Sequence, residues 1–340
     1  MSDRTTIEWT GSTWNIITGC SFKSPGCTNC YAMKLAGSRL KNHPSRAGLT
    51  TLAKSGPVWN GQVRFNEQWA DLPMRWTKPR MIFVCAHGDL FHESVPDEWI
   101  LRVWEVMKEA KQHTFQVLTK RADRMHKLLN QLGPPLSNVW LGVSTENQET
   151  ANNRIPKLLG TPAAVRWISA EPLLGALDLT NMPWRLNGVS GEVVKTMNAL
   201  TGETTALDPL FNRREQLPSI NWVVVGGESG QNARPMHPIW AESLRDQCQR
   251  ANVPFFFKQW GSWAPRSKCW NAGTDFSSLD PQCRRWPHVI RLGEHGRNTR
   301  HLSHCDDKAG REVYMQNVGK KLSGRTLDGR TWDEFPEVKP

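Results

Sequence analysis

The hydrophobic positions of the chain fall into short continuous runs that alternate with amphipathic stretches. Runs such as MIFV, WVVV and PFFF are apolar at every residue, as in parallel strands that are covered on both faces. Alternation of such strands with helices is typical of a βα repeat. The pattern predicts seven strands, which are Thr13–Thr18, Met81–Cys85, Phe115–Thr119, Asn138–Val143, Ala164–Ser169, Asn221–Gly226 and Pro254–Lys258.

Apolar residues recur at helical spacing between these strands. The clearest helix follows Pro96, a residue that suits the beginning of a helix. Six or seven βα units are enough for a partial or complete (β/α) barrel, and a doubly wound open sheet is the alternative layout. The predicted helices are Tyr31–Leu40, Asp97–Gln112, Ala122–Leu132, Glu146–Leu159 and Ile239–Ala251.

Three regions interrupt the βα repeat. Residues 41–78 are rich in Gly, Pro, Trp and basic residues, and residues 177–219 show no sustained hydrophobic period. From residue 262 onward the chain has many Arg, Gly and His residues and few apolar runs. We therefore expect a barrel domain over residues 1–261 with insertions near 41–78 and 177–219. A basic, loop-rich C-terminal extension over residues 262–340 is expected to pack on the barrel.

Composition indicates a basic protein with an unusual aromatic content. Forty-three Lys and Arg against 32 Asp and Glu give a formal net charge of +11, and there are 17 Trp but only 2 Tyr. A positive balance favours polyanionic partners, nucleic acid above all. The chain has no apolar run long enough to span a membrane, and its first ten residues lack the apolar core of a signal peptide. We therefore expect no membrane association and a cytoplasmic location.

Three of the eight cysteines lie close together in the segment GCSFKSPGCTNCYA, directly after the first predicted strand. A tight cluster of cysteines in a reducing compartment indicates a metal site or redox chemistry. The thiolates of Cys20, Cys27 and Cys30 suit either zinc or an iron–sulfur cluster. Structural zinc normally takes a fourth protein ligand, and the nearest candidate, His43, lies outside any familiar ligand spacing. A [4Fe–4S] cluster held by three cysteines leaves one iron open.

Polar side chains follow nearly every predicted strand. In a βα barrel the carboxyl ends of the strands converge on one face, where active sites lie. Bringing several charged side chains together at one end of a barrel costs free energy, so we expect them to bind a polar ligand. The residues in question are Asn15, His87, Asp89, His92, Lys120, Arg121, Ser144, Thr145, Glu146, Asn147, Ser169, Glu171, Glu228, Ser229, Lys258 and Gln259.

The cysteine loop after the first strand of a βα barrel resembles that of the radical S-adenosylmethionine (SAM) enzymes. Its Cys-x2-Cys-Tyr ending is distantly similar to the spore photoproduct lyase branch. More closely, the chain resembles a phage and bacterial radical-SAM-like family, the phage Gp-type or three-Cys-motif family. The segments that carry this resemblance are TWNIITGC, SPGCTNCYA, GDLFHESVP, QVLTKR, VWLGVSTEN, WISAEPLLG, VVVGGESG, PFFFKQWG and GRTLDGRTWDEFP.

The resemblance implies a radical-SAM-type barrel in which Cys20, Cys27 and Cys30 hold a [4Fe–4S] cluster and SAM binds the open iron. Two features depart from the superfamily pattern. The spacing is Cys-x6-Cys-x2-Cys instead of Cys-x3-Cys-x2-Cys. The usual Gly-Gly-Glu after the second strand is replaced by HGD at 87–89, and a Gly-Gly-Glu occurs only later, at 226–228.

The chemistry of SAM suggests a role for several residues of the polar ring. Ser144 and Asn147 would bond the ribose hydroxyls, although the stretch between them could instead cap the next helix. Asp89 would accept from the amino group of the methionine part. Tyr31 would pack near the cluster or the adenine.

The remaining members of the predicted cofactor site lie after the fifth and sixth strands. Gly226 and Gly227 would let the backbone approach the ligand closely. Glu228 follows them directly, and Glu171 completes the set. The alternative for Glu171 is an ion pair with a basic neighbour.

The predicted activity is the reductive cleavage of SAM, which yields a 5′-deoxyadenosyl radical that abstracts a hydrogen atom from the substrate. Flavodoxin or ferredoxin would supply the electron, and the substrate is expected to be nucleic acid with a damaged or modified base. Cys85 could return a hydrogen atom, although free cysteines are more often buried apolar residues. Two alternatives remain: a zinc-stabilised nucleic-acid-binding protein without catalysis, and a radical SAM enzyme for a small molecule or peptide.

The C-terminal extension contains further cysteines and histidines that could form a second metal site. Their wide spacings match no standard ligand pattern. Basic residues there alternate with Trp, a mixture that suits either nucleic-acid contacts or a solvated surface. The candidate metal ligands are Cys269, Cys283, Cys305, His288, His295, His301 and His304.

Overall fold

A computed structural model describes residues 5–184, 195–206, 216–265, 289–293 and 312–337. The C-terminal cysteines and histidines considered for a second metal site lie outside these residues. The strands in the described part are β1 (Ser12–Trp14), β2 (Ile17–Thr18), β3 (Thr50–Ala53), β4 (Gly56–Trp59), β5 (Arg64–Phe65), β6 (Met81–Val84), β7 (Thr114–Thr119), β8 (Val139–Ser144), β9 (Val165–Ala170), β10 (Met182–Trp184), β11 (Lys195–Met197), β12 (Thr204–Ala206), β13 (Trp222–Gly226), β14 (Phe255–Gln259), β15 (Trp263–Pro265), β16 (Val289–Gly293) and β17 (Glu312–Asn317).

Helices follow most strands of the predicted repeat, and short 3-10 turns form at Pro25–Cys27 and Glu67–Trp69. The predicted helices are present, with ends that shift by up to three residues. In the described part of the chain, no helix is long and apolar enough to cross a membrane. The helices are α1 (Tyr31–Gly37), α2 (Leu72–Arg75), α3 (Asp97–Glu109), α4 (Ala122–Leu129), α5 (Gln148–Leu159), α6 (Pro238–Arg250) and α7 (Lys320–Ser323).

The main sheet is a parallel half-barrel of seven strands in the order β1-β6-β7-β8-β9-β13-β14. Every neighbouring pair is parallel, and spatial order follows chain order throughout. A doubly wound sheet reverses its strand order at a switch point, so that alternative is wrong. The seven predicted strands and the mixed α/β, barrel-like architecture are confirmed.

The first predicted strand, Thr13–Thr18, is the one that differs most from expectation. It divides into β1, which pairs with β6, and β2, which pairs antiparallel with β5. The interruption falls at Asn15, whose Oδ1 accepts a hydrogen bond from the backbone N–H of His87 at 3.0 Å. This contact ties the end of β1 to the loop that follows β6, where the predicted site begins.

The two faces of the sheet bury different side chains. On the outer face, aliphatic strand residues such as Val117 and Leu141 join the helices in the larger hydrophobic core. On the inner face, Trp140, Trp167 and Trp222 fill the half-barrel, together with Trp9 from the N-terminal segment. The rings of Trp9 and Trp167 are 5.1 Å apart, and those of Trp167 and Trp222 are 5.4 Å apart. This aromatic layer closes the interior below the carboxyl ends of the strands.

The insertions and the tail add small sheets to this core. Residues 41–78 form the β3–β4 hairpin, the strand β5 and helix α2, whereas β10, β11 and β12 form an antiparallel sheet within the second insertion. Strands β15, β17 and β16 form a further antiparallel sheet. After α7 the chain returns to the main sheet, where the backbone N–H of Phe257 donates to Trp332 O at 2.9 Å. The last described segment therefore packs on the edge strand β14.

Candidate active site

A cavity of about 250 Å³ lies at the carboxyl ends of the parallel strands. The aromatic layer of the half-barrel contributes Trp9 and Phe83 to its wall. Ten of the twelve predicted site residues also line it, so residues from five separate parts of the chain meet at one place. These ten are Cys20, Cys27, Cys30, Tyr31, Cys85, Asp89, Ser144, Glu171, Gly227 and Glu228.

Asn147 and Gly226 are the two predicted residues outside the cavity wall. Asn147 is the N-cap of α5, and its Oδ1 accepts from Thr150 N and Thr150 Oγ1 at 3.0 Å each. The capping alternative is therefore present at Asn147, and the ribose contact stays a prediction. Gly226 leaves space for Glu171, because a Cβ on Gly226 would lie 2.7 Å from Glu171 Oε1.

The three clustered cysteines lie on a loop between β2 and α1. The loop turns through the 3-10 segment Pro25–Cys27, and its three cysteines are free and, as whole residues, partly exposed. Burial of the sulfur raises the pKa of Cys20 to about 12, although the nearby Arg121 acts in the opposite direction. Burial likewise raises the pKa of Cys30. In the described residues, no group of three or more His, Cys, Asp or Glu side chains is arranged to hold a metal ion.

Arg121 connects the beginning of the cysteine loop to the sheet. This buried guanidinium lies beside Cys20, with Nη1 3.4 Å from the sulfur, and donates to Asp89 Oδ2 at 3.2 Å. Its Nη2 donates to the carbonyl of Ser21 at 3.1 Å and to Ser21 Oγ at 2.9 Å. Nε donates to Glu93 Oε2 at 3.2 Å. The sequence placed Arg121 in the polar ring but gave no sign that it contacts a cysteine.

Asp89 is occupied by contacts within the protein. Its Oδ1 accepts from Thr119 Oγ1 at 2.7 Å and from the backbone N–H of Phe91 at 3.0 Å. Its Oδ2 accepts from Arg121 and from the backbone N–H of Lys120 at 3.0 Å. Four donors therefore share the carboxylate that was expected to bind the amino group of SAM. These contacts make Asp89 the partner of Arg121, and its contact with the amino group of SAM stays a prediction.

Glu146 is a fully buried carboxylate that contacts the middle of the cysteine loop. Its Oε1 accepts from Ser24 Oγ at 2.7 Å and pairs with Lys120 Nζ at 3.0 Å, and its Oε2 accepts from Arg154 Nη1 at 3.0 Å. Burial alone would raise the pKa of Glu146, but the two cations and the Ser24 hydroxyl hold it down at about 2. Sequence reasoning placed Glu146 after a strand without assigning it to the site.

Glu171 and Lys258 form an ion pair across the cavity. Lys258 Nζ lies 3.2 Å from Glu171 Oε2, which also accepts from Trp9 Nε1 and Ser169 Oγ at 3.4 Å each. Among the described residues, Glu171 Oε1 has no hydrogen-bond partner although it is buried. The predicted alternative, an ion pair with a basic neighbour, is therefore present, and Glu171 also lines the cavity.

Glu228 holds the end of the cysteine loop on the opposite side. Its Oε1 accepts from Arg234 Nη2 at 2.6 Å, and its Oε2 accepts from Arg234 Nε and Asn29 Nδ2 at 2.9 Å each. Arg234 Nη2 also donates to Pro25 O at 2.9 Å. These bonds outweigh the effect of burial and lower the pKa of Glu228. Glu228 thus contacts Asn29, one of the two residues between Cys27 and Cys30.

Cys85 and Tyr31 form another part of the wall. Cys85 has a φ of 59°, a left-handed conformation that is uncommon for residues other than glycine. Its burial raises the pKa of the thiol to about 12. Tyr31 donates from its hydroxyl to Ala86 O at 2.8 Å and leaves about half of its surface exposed at the mouth. Trp59 from β4 lines the same cavity.

The residues at this mouth fit an iron–sulfur cluster in their donor chemistry. Three thiols that line one cavity supply the soft ligands that such clusters take. Each thiolate of a [4Fe–4S] cluster binds a different iron, so the cluster does not require the sulfurs to surround a single ion. The cation of Arg121 beside Cys20 suits the negative charge of a bound thiolate.

The comparisons with known proteins find one family. A family described as "Protein of unknown function (DUF5131)" matches residues 4–336, which is nearly the whole chain. A search of the curated proteins finds no match, and neither does a search of the solved structures.

Proposed function

We propose that the chain, which belongs to the DUF5131 family, is a radical SAM enzyme with a radical-SAM-type half-barrel. The observation that carries the proposal is the convergence of Cys20, Cys27 and Cys30 on one cavity at the carboxyl ends of seven parallel strands. In this proposal the three cysteines hold a [4Fe–4S] cluster. SAM occupies the neighbouring cavity, beside Ser144 and Glu171.

The electrostatics of the cavity suit a zwitterionic ligand such as the methionine part of SAM. Four carboxylates at or next to the wall each have a cationic partner within 3.2 Å, and the wall itself contains both acidic and basic side chains. A ligand with both an ammonium and a carboxylate finds opposite charges on more than one side. The pairs are Asp89–Arg121, Glu146–Lys120, Glu171–Lys258 and Glu228–Arg234.

Cys20, Cys27 and Cys30 would hold the cluster, which in its reduced form would supply one electron for breaking a carbon–sulfur bond of SAM, giving methionine and a 5′-deoxyadenosyl radical. The chain's own residues bind the reactants and exclude water. Trp9 and Phe83 form an apolar part of the cavity wall. Cys85 faces the same cavity, and its raised pKa keeps the S–H intact. A hydrogen-atom donor needs that S–H bond, so Cys85 is our candidate for the donor.

For the substrate we propose nucleic acid with a damaged or modified base, so that the enzyme would repair or modify DNA. The net charge of +11 favours a polyanion. Tyr31 and Trp59 place two aromatic side chains at the cavity, and aromatic rings stack on bases regardless of sequence. Flavodoxin or ferredoxin would reduce the cluster. A small molecule or peptide is the alternative substrate.

The proposal is tested by anaerobic reconstitution with iron and sulfide, followed by reduction with dithionite in the presence of SAM. We expect a brown protein that releases 5′-deoxyadenosine. Replacement of Cys20, Cys27 or Cys30 by Ala should abolish both properties, whereas Cys248→Ala, at a buried cysteine on α6, should retain them. A colourless protein that binds one zinc and leaves SAM intact would support the zinc-stabilised alternative instead.

The substrate class needs a separate measurement. We expect binding of single-stranded DNA to weaken steeply as salt concentration rises, because phosphate contacts release counterions. Trp59→Ala should weaken binding further, whereas Leu52→Ala, at an exposed apolar residue of the same hairpin, should not. Binding that is insensitive to salt and to Trp59→Ala would contradict a nucleic-acid substrate.

A further inference from the structure

The six residues between Cys20 and Cys27 make their contacts across the mouth of the half-barrel. Ser21 Oγ accepts a hydrogen bond from Arg121, which follows β7. The same oxygen forms a hydrogen bond with His92 Nε2 at 2.8 Å. Ser24 donates to Glu146 after β8 at 2.7 Å. The loop therefore crosses from one strand end to the next before it reaches Cys27.

Glu146 is the contact in the middle of this crossing. Its side chain has no exposed surface, and its oxygens are held by Lys120 and Arg154. Gly26 packs directly on it, since a Cβ on Gly26 would lie 2.5 Å from both Cγ and Oε1 of Glu146. Gly26 directly precedes Cys27, and Ser24 lies three residues before Cys27. Both residues thus contact the same buried carboxylate.

The loop is longer than the loop of a Cys-x3-Cys motif. Seven residue steps from Cys20 to Cys27 reach at most about 24 Å, whereas the four steps of a Cys-x3-Cys spacing reach about 14 Å. The contacts at Ser24 and Gly26 lie within that longer span.

We infer that Glu146 is a positioning residue, which docks the loop through Ser24 and Gly26 and so fixes the place of Cys27 in the cavity. The significance of Cys27 as a ligand rests on the proposed function. The docking of the loop on Glu146 does not rest on the proposed function, because it consists of contacts between protein groups.

Two variants test the docking without leaving a buried charge unpaired. Ser24→Ala removes the hydroxyl, and Gly26→Ala inserts a methyl group against Glu146, while Lys120 and Arg154 keep their partner. Lys23→Ala is the control, because the Lys23–Glu93 pair of the same loop is exposed. Thermal unfolding of each variant checks that the fold is intact.

The first readout is hydrogen–deuterium exchange of a peptide that covers Ser21–Cys30 in metal-free protein. The second is the alkylation rate of Cys27 by iodoacetamide, compared with that of Cys20 in the same sample. In Ser24→Ala, loss of the hydrogen bond to Glu146 should speed both exchange and Cys27 alkylation by about fivefold. In Gly26→Ala, the steric clash with Glu146 should speed both as well. Cys20 should keep its rate in both variants because Arg121 holds it separately.

Unchanged exchange in Ser24→Ala and Gly26→Ala would overturn the docking. Faster exchange without faster alkylation of Cys27, or with equal acceleration at Cys20, would overturn the positioning role. Iron content after reconstitution separates the two proposals. A wild-type protein that takes up no iron contradicts the proposed function, whereas the exchange and alkylation results still decide whether Glu146 docks the loop.

Discussion

Nη1 of Arg121 lies 3.4 Å from the sulfur of Cys20, although 101 residues separate them in the chain. The same guanidinium pairs with Asp89, and both side chains are almost fully buried. A buried ion pair of this kind is costly to break from one side, because the remaining charge has no solvent to stabilise it. The contact therefore links the stability of the half-barrel to the position of the first cysteine.

Arg121→Ala should lower the free energy of unfolding by about 3–5 kcal/mol, because Asp89 is left as a buried carboxylate without its cation. Urea denaturation at pH 7 measures the change. Arg102→Ala provides the control, since the Arg102–Glu67 pair is exposed and should contribute no more than about 1 kcal/mol. If the two substitutions lowered the free energy of unfolding equally, the buried Arg121–Asp89 pair would not stabilise the fold more than the exposed pair does.

Glu146 should make the protein sensitive to acid. Its pKa in the folded state is about 2, below the ordinary value of 4.5, so its stabilising contribution is complete above pH 4.5 and is lost as the pH falls towards 2. The contribution is about 3 kcal/mol. The stability difference between wild type and Glu146→Gln should therefore be larger at pH 7 than at pH 3 in urea titrations. A difference that is constant over this range would show that the ionisation of Glu146 does not stabilise the fold.

Gly142→Ala should destabilise the inner aromatic layer. A Cβ at this position would lie 2.4 Å from the ring of Trp167, and overpacking of this kind costs about 1–3 kcal/mol. Gly175→Ala is a suitable control because its Cβ would meet Asn147 at an ordinary 3.5 Å. Thermal unfolding compares the two variants. A Gly142→Ala protein as stable as the control would contradict the close packing of Trp167.

Cys85 should react slowly with iodoacetamide in the native protein at pH 8. Its pKa is raised to about 12 by burial, and the thiolate is the reactive form. The rate should rise steadily with pH up to the highest pH at which the protein stays folded, and it should become fast in urea. Mass spectrometry of the Cys85 peptide measures this rate. Reaction as fast as that of free cysteine at pH 8 would contradict a protected S–H.

The repeating strands could be predicted from the sequence because each is a short, largely apolar run between helical stretches. The end of the first strand could not, since the break at Asn15 depends on a hydrogen bond to His87, 72 residues away. The small sheet of β10, β11 and β12 also escaped prediction, because three-residue strands carry too little periodicity.

The residues that line the candidate site could be predicted from the sequence better than the contacts between them. Strand-end position brought Asp89, Glu171 and Glu228 to one cavity as expected. Which cation each carboxylate pairs with depends on side chains from other strands, so the occupation of Asp89 by Arg121 was not foreseen. The docking role of Glu146 was missed for the same reason, because Ser24 precedes it by 122 residues.

The central claim is that Cys20, Cys27 and Cys30 hold a cluster that cleaves SAM. The most direct measurement is 5′-deoxyadenosine formation by anaerobically reconstituted, dithionite-reduced protein, compared with a variant in which all three cysteines are replaced by Ala. We predict 5′-deoxyadenosine from the wild type and none above background from the variant. Intact SAM with an iron-loaded wild-type protein, or equal cleavage by both proteins, would contradict the account.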